Sequence, residues 1–300
     1  MTAGPDGGPL RAGAVIGFVG LGNMGGPMAA RLAAAGYRVQ AYDSSEPARR
    51  TAPGGVTVTG SAAGTGACAG AVVLMLPGSD VVEAVLREGG LLDALAPGAT
   101  VVDMSSSQPL RTRELAAEAA GRGIRLVDAP VSGGVKGAAE GSLTIMTGGE
   151  EHDLARVRPV LDVLGSRILR LGPAGSGHAL KALNNLMSAT HLLITAEAML
   201  AGERFGLDPE TMLAAVNGSS GRSGSTENKW PNFVLPGTFD SGFGLRLMLK
   251  DMRIALDLAT ATGVAPHLAR AAVDLWADAA EHLPPFADHT EIVRRVSEPR

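Results

Sequence analysis

The stretch GFVGLGNMGGPMAARL, residues 17–32, decides the fold. Gly20, Gly22 and Gly25 stand in a G-x-G-x-x-G frame. In such a frame the first glycine permits a tight turn. The second lets a pyrophosphate approach the backbone, and the third lets a helix pack closely on a strand. The backbone of Gly20, Leu21, Gly22, Asn23, Met24 and Gly25 would then present N–H groups to an anion at a helix N-terminus. A glycine frame alone is a weak signal. Here an apolar run precedes it, a helix-like run follows it, and Asp43 ends the next strand-like run, 18 residues past Gly25. An acid at about that distance hydrogen-bonds the adenosine ribose hydroxyls of a dinucleotide. It also repels a 2′-phosphate. The expected cofactor is therefore NAD, with NADP as the alternative. Arg49 and Arg50 follow on the next helix and read as solvated side chains.

Outward from this loop, short β-like runs alternate with helix-like ones. AVIGFVG (14–20), RVQAYD (38–43), AVVLMLP (71–77), TVVDMS (100–105) and IRLVDAP (124–130) are separated by runs such as DVVEAVLRE (80–88) and LRTRELAAEAAGRG (110–123). That alternation predicts βαβ units and a parallel sheet covered on both faces. SLTIMTGG (142–149) reads as another strand and RILRLGP (167–173) as an edge strand. From about Ser176 the pattern becomes helical. One run from Gly177 to Phe205 would span ~43 Å at 1.5 Å per residue. The expected fold class is α/β: a Rossmann-type parallel sheet domain over 14–175, joined by a long interdomain helix to an all-α C-terminal domain over 176–300. Residues 1–13, rich in Gly and Pro, read as a disordered tail. The piece NGSSGRSGSTENK (217–229) reads as a functional loop.

Composition narrows the partners. Apolar residues make up 45% and charged residues 19% of 300, with a formal net charge of −4. No basic balance calls for nucleic acid or an anionic membrane surface. The longest apolar run, AVVLML, is too short to span a bilayer. The lone cysteine, Cys68, excludes an intrachain disulfide and fits a reducing compartment. The expected location is the cytoplasm. The six histidines form neither H-x-H nor H-E-x-x-H, so no metal site is expected.

Two further stretches carry polar groups suited to chemistry. DAPVSGG (128–134) is a strand end followed by a serine and two glycines. Ser132, Gly133 and Gly134 would expose a hydroxyl and backbone N–H groups at the carboxyl edge of the sheet, where ligands of open α/β sheets bind. Such a pocket suits a carboxylate. GHALKALNN (177–185) places Lys181, Asn184 and Asn185 on one helix face. Leu180, Leu183, Leu186 and Met187 around them suggest a largely buried helix. A lysine beside apolar groups loses hydration and exchanges its proton more readily, whereas a lone helix lysine is ordinarily a surface residue. His178, three residues before Lys181, either shares its face or stands partly exposed.

Four blocks in order, GFVGLGNMG, DAPVSGGVKGAAEGSLTIMTGG, GHALKALNN and SGFGLRLMLKD, resemble the β-hydroxyacid dehydrogenase family over residues 15–259. The resemblance implies an active site in the cleft between the two domains and a homodimer or homotetramer. It assigns Lys181 as catalytic acid/base, Asn185 and the Ser132–Gly134 loop to the substrate, and Phe243 to the pocket mouth or the core. It assigns Leu76, Pro77 and Ser106 to the cofactor, and Lys250 either to the cofactor or to a pair with Asp251 or Asp257. The implied substrate is a small hydroxyacid bearing a carboxylate. A 3-hydroxyisobutyrate type is the first expectation, and tartronate semialdehyde or L-threonate types are the alternatives. Imine reductases share the architecture but usually lack the lysine. 6-Phosphogluconate dehydrogenases are longer and carry His-Asn where this chain has Asn184–Asn185. A non-catalytic NAD-fold interaction protein would not need Lys181. Arg222 either binds a second anionic group or is a solvated loop arginine.

Overall fold

The computed structural model describes residues 8–297. The chain divides into two compact units between Lys181 and Ala182. In the first unit nine strands form one sheet: β1 Val15–Val19, β2 Arg38–Tyr42, β3 Val56–Val58, β4 Ala71–Leu74, β5 Thr100–Asp103, β6 Arg125–Asp128, β7 Val131–Ser132, β8 Leu143–Gly148 and β9 Gly165–Gly172. Their order is β3-β2-β1-β4-β5-β6-β8-β7, with β9 on β8. Strands β1 to β6 pair in parallel. β8 runs antiparallel to β6 and β7 and parallel to β9. The strand order reverses at β1 and β4, which is where open α/β sheets open a crevice for ligands.

Strand periodicity explains the burial. Ile16, Phe18, Val73, Val102 and Val127 face one side and pack with Met28 and Leu32. Val15, Val19, Val72, Leu74 and Val101 face the other. Both faces are covered, so the strands read as continuous apolar runs. The short β3 and β7 carry too few residues to show a period, and the sequence pattern passes over them.

Residues 8–13 differ from the expected tail. Leu10 is buried, its N–H donates to the Arg156 carbonyl (2.9 Å), and its own carbonyl accepts the Tyr37 hydroxyl (3.2 Å). The rest of that expectation lies outside the described residues.

The long helix is Ser176–Phe205, 30 residues in one piece. It is less buried than its leucines suggest: Leu180, Leu183, Met187 and Ile194 are exposed. The second unit adds helices Pro209–Asn217, Leu245–Ala261 and His267–His282 and a π-helix, Ser225–Val234. Its core gathers Leu192, Ala196, Trp230, Met252 and Trp276. The expected loop 217–229 is thus half helix, and only 218–224 connects. Among the described residues no helix is long and apolar enough to cross a membrane.

Candidate active site

The carboxyl ends of β1, β2, β4, β5 and β6 lie along one edge of the sheet, and each carries a candidate residue. After β1 the chain turns at Gly20, whose φ is +101°. A Cβ at Gly25 would overlap the Gly20 carbonyl, so the third glycine of the frame serves helix–strand approach. At Gly22 a Cβ would meet nothing within 4 Å. The open space there is what close approach of a ligand to the backbone requires. The following helix, Gly25–Ala34, has no side-chain cap at Met24 and no acid in its first turn. Its positive end is left for an anion.

Asp43 follows β2 and holds this loop. Its Oδ2 accepts the Leu21 N–H (2.6 Å) and its Oδ1 the Ser45 N–H (2.7 Å). Arg49 is not the solvated side chain expected. Its guanidinium donates to the Asp43 and Ser44 carbonyls (2.6 and 2.9 Å) and lies over Tyr42. Arg50 does reach solvent, beside Glu46.

After β4, the Leu76 N–H donates to Ser105 Oγ (2.9 Å), and Pro77 is exposed. After β5, Asp103 accepts the Ser105 N–H (3.0 Å) and the Ser107 hydroxyl (2.9 Å). Ser105 and Ser107 are buried, while Ser106 between them is half-exposed. After β6, Ser132 lies half-buried in β7. Gly133 and Gly134 are exposed, with φ of +134° and +62°.

The fully buried Asp128 ties the end of β6 to the start of the long helix. Its Oδ1 accepts the Gly175 N–H (2.7 Å) and its Oδ2 the His178 N–H (2.9 Å). Lys181 follows one turn later and is half-buried. His178 is not partly exposed. It is 1% exposed, with Nδ1 on Thr112 Oγ1 (2.8 Å) and Nε2 on the Ser105 carbonyl (3.1 Å). A carbonyl only accepts, so Nε2 carries a proton. The histidine braces the helix against the β5 end. Nothing in the sequence around Asp128 or His178 distinguished these anchors from reacting groups.

In the second unit Asn185 is buried and donates through Nδ2 to Asp251 Oδ2 (2.6 Å). Asp251 Oδ1 pairs with Lys250 Nζ (3.0 Å). The orientation of Asn185 is therefore set by a carboxylate that Lys250 shares. Asn184 is exposed and bonds to Asn185 Oδ1 (3.3 Å). Phe243 packs edge-on against His289, with ring centroids 5.8 Å apart. Arg222 is exposed and pairs loosely with Glu227 (3.6 Å), as a solvated loop arginine does. Sequence reasoning missed Lys229, whose Nζ donates to Ser188 Oγ (2.6 Å). Burial pushes its pKa down to about 8, and nearby Asp288 offsets this only in part.

The family described as the NAD binding domain of 6-phosphogluconate dehydrogenase matches residues 15–172. The one described as NAD-binding of NADP-dependent 3-hydroxyisobutyrate dehydrogenase matches 175–296. The chain is 41% identical over 244 residues to 2-(hydroxymethyl)glutarate dehydrogenase of Eubacterium barkeri, covering 81% of each chain. The chain belongs to the β-hydroxyacid dehydrogenase family. It is 39% identical over 258 residues to the mitochondrial 3-hydroxyisobutyrate dehydrogenase of Homo sapiens, covering 82% of this chain and 76% of that one. The Mycobacterium tuberculosis 3-hydroxyisobutyrate dehydrogenase, solved with L-serine, superposes with a TM-score of 0.89 at 34% identity. That match covers 95% of this chain and all of that one. Members of this β-hydroxyacid dehydrogenase family are NAD(P)-dependent oxidoreductases. The open Gly22, the uncapped helix and Asp43 fit such a dinucleotide.

Proposed function

We propose that the chain transfers hydride between a nicotinamide dinucleotide and the hydroxyl of a small β-hydroxyacid, with Lys181 as acid/base. One observation carries this reading: Asp128 fastens the start of Lys181's helix to the sheet edge that also presents the Gly20–Gly25 loop, Leu76, Ser106 and Ser132. The loop and helix N-terminus would hold the pyrophosphate, Asp43 the adenosine ribose, and Leu76, Pro77, Ser106 and Lys250 the rest of the cofactor. When bound, the dinucleotide supplies the hydride acceptor or donor. NAD is the preferred form, because the Asp43 carboxylate repels a 2′-phosphate.

In oxidation Lys181, as free amine, takes the proton of the substrate hydroxyl. In reduction, as ammonium, it returns that proton to the forming alkoxide. Ser132, Gly133 and Gly134 grip the substrate carboxylate through a hydroxyl and backbone N–H groups. Asn185, held by Asp251, keeps one amide N–H for the substrate, and Phe243 shapes the pocket. Orientation of this kind supplies much of the rate.

Two acids compete as substrate: 3-hydroxyisobutyrate and 2-(hydroxymethyl)glutarate, each named by a similar enzyme. The shared chemistry is tested by assaying the full chain with NAD+ and NADP+ against both, beside L-serine and L-threonate. Dinucleotide reduction with at least one acid is expected; none with any of them would overturn the reading. Self-association into a dimer or tetramer belongs to the same reading. Leu180, Leu183, Met187 and Ile194 support it, because they form an exposed apolar stripe at helical spacing. Location in the cytoplasm also belongs to it, and the lone Cys68 suits it.

A further inference from the structure

Lys229 has no part in the chemistry so far, yet its setting is unusual for a lysine. It lies in the π-helix Ser225–Val234, a helix type that recurs at functional sites. Its side chain is half-buried. It donates to Ser188 Oγ (2.6 Å) and approaches the Ser188 carbonyl (3.5 Å). Among the described residues no carboxylate forms an ion pair with it. Lys250 and Arg222, by contrast, pair with Asp251 and Glu227.

Asp288 is the nearby acid, and its oxygens are already engaged. Oδ1 accepts from the Ser241 hydroxyl (2.8 Å), the Thr290 N–H (2.9 Å) and the Thr290 hydroxyl (2.6 Å). Oδ2 accepts from the Gly242 N–H (2.9 Å), the Phe243 N–H (3.2 Å) and the Ser241 hydroxyl (2.9 Å). Lys229 is thus a partly desolvated cation whose charge lacks a paired carboxylate. Such a charge is costly unless an anion joins it.

Its position relates it to the substrate residues. Ser188 is three residues past Asn185 and seven past Lys181 on one helix. Positions at these spacings share a face. Ser188 therefore lies ~5 Å beyond Asn185 and ~10 Å beyond Lys181 along the helix axis. A short diacid bridges such a span once the lysine side chains take up part of it. A three-carbon acid with one carboxylate does not.

We propose that Lys229, steadied by Ser188, binds a second carboxylate of the substrate, so that the site selects dicarboxylic β-hydroxyacids over monocarboxylic ones. This rests on the hydroxyacid reading of Lys181 and Asn185. The second-anion role that the sequence offered to Arg222 moves to Lys229. A monocarboxylic substrate would leave the ammonium unpaired, and a site built to pair a group discriminates against analogues that lack it.

Glutarate and isobutyrate serve as non-reacting probes of the full chain with NAD+ bound. Calorimetry should show glutarate binding at least tenfold tighter, and Lys229→Met should lower that ratio at least tenfold. Lys229→Arg should keep most of it. Should Lys229→Met misfold, the unaltered protein supplies the test. The rate of Lys229 acylation at pH 8, mapped by peptide mass, should fall at least fivefold with glutarate and stay constant with isobutyrate. Equal affinity for the two acids, an unmoved ratio in a folded Lys229→Met, or no protection of Lys229 would each overturn the proposal. None of these readouts needs turnover. Protection by glutarate in a protein inactive on every hydroxyacid would refute the dehydrogenase reading alone. Turnover of 3-hydroxyisobutyrate without a glutarate effect would refute the Lys229 assignment alone.

Discussion

Replacing Asp128 by Asn should loosen the helix that carries Lys181. The carboxylate is fully buried and accepts two backbone N–H groups at the start of that helix, from Gly175 and His178. A Cβ at Gly148 or Gly177 would press on its oxygens, so these glycines leave it just enough room and little for a replacing water. Asparagine keeps one acceptor oxygen and turns an NH2 toward the other N–H. A buried unsatisfied donor costs roughly 1–3 kcal/mol. Loss of negative charge at a helix N-terminus adds up to ~2 kcal/mol, and relief of the carboxylate's own desolvation offsets part of it. A net loss of about 3 kcal/mol corresponds to a melting temperature lower by roughly 6–12 °C for a unit of this size. Because Lys181 sits on the next turn, kcat should fall about tenfold while dinucleotide affinity changes little. Scanning calorimetry and steady-state kinetics on the same preparation check both. A melting temperature within 1 °C of the unaltered protein, with kcat unchanged, would refute the anchoring role.

Asp43→Ala should weaken NAD+ binding at least tenfold and relax discrimination against NADP+, since the Leu21 and Ser45 N–H groups lose their acceptor. Fluorescence titration with both dinucleotides reads this, and an unchanged preference counts against the ribose role. Acid should destabilise the second unit in two stages. Burial holds His289 below the usual histidine range despite Asp288 beside it, so it folds neutral. Its contribution is full above the unfolded value near ~6.5 and is lost as pH falls through the lower folded one. Burial works to raise Asp288, but hydrogen bonds from His289 and Thr290 outweigh it and hold it below the carboxylate range. Its contribution is present above ~4 and is lost as pH falls further. Melting temperature against pH should bend downward below ~6.5, and His289→Gln should flatten the upper part of that bend. A profile identical in the variant would show that His289 does not couple folding to protons. Lys229 should hold an anionic probe less tightly above pH about 8, where its ammonium discharges. Flat affinity for glutarate from pH 7 to 9.5 would argue against a charge contact.

The sheet and the dinucleotide loop were legible because their physics is local. Gly20 and Gly25 mark a backbone path that a side chain would obstruct, and the buried strands β1 and β4 are apolar throughout. The long helix was legible from its unbroken length. Its burial was not, because Leu180 and Met187 are apolar but exposed, and a sequence does not say which face is covered. The polar residues divided differently. Spacing put Lys181, Asn184 and Asn185 on one helix face, and the family resemblance singled out Lys181 and Asn185 among them. Asp128, His178 and Lys229 act through partners 41 to 73 positions away, such as Thr112 for His178 and Ser188 for Lys229. No local pattern encodes those pairings. Arg49 was misread for a related reason: its turn back onto the Asp43 carbonyl follows from the corner at the end of β2 rather than from helix propensity.

In the proposed reaction Lys181 moves the proton. The most direct test of that role is Lys181→Ala, assayed for kcat with the preferred hydroxyacid and, separately, for NAD+ affinity by titration. Loss of a positioned acid/base typically costs 10²–10⁴ in rate. A fall in kcat of about that size is expected, with NAD+ affinity within about threefold of the unaltered protein. A variant that keeps kcat within tenfold would contradict that role.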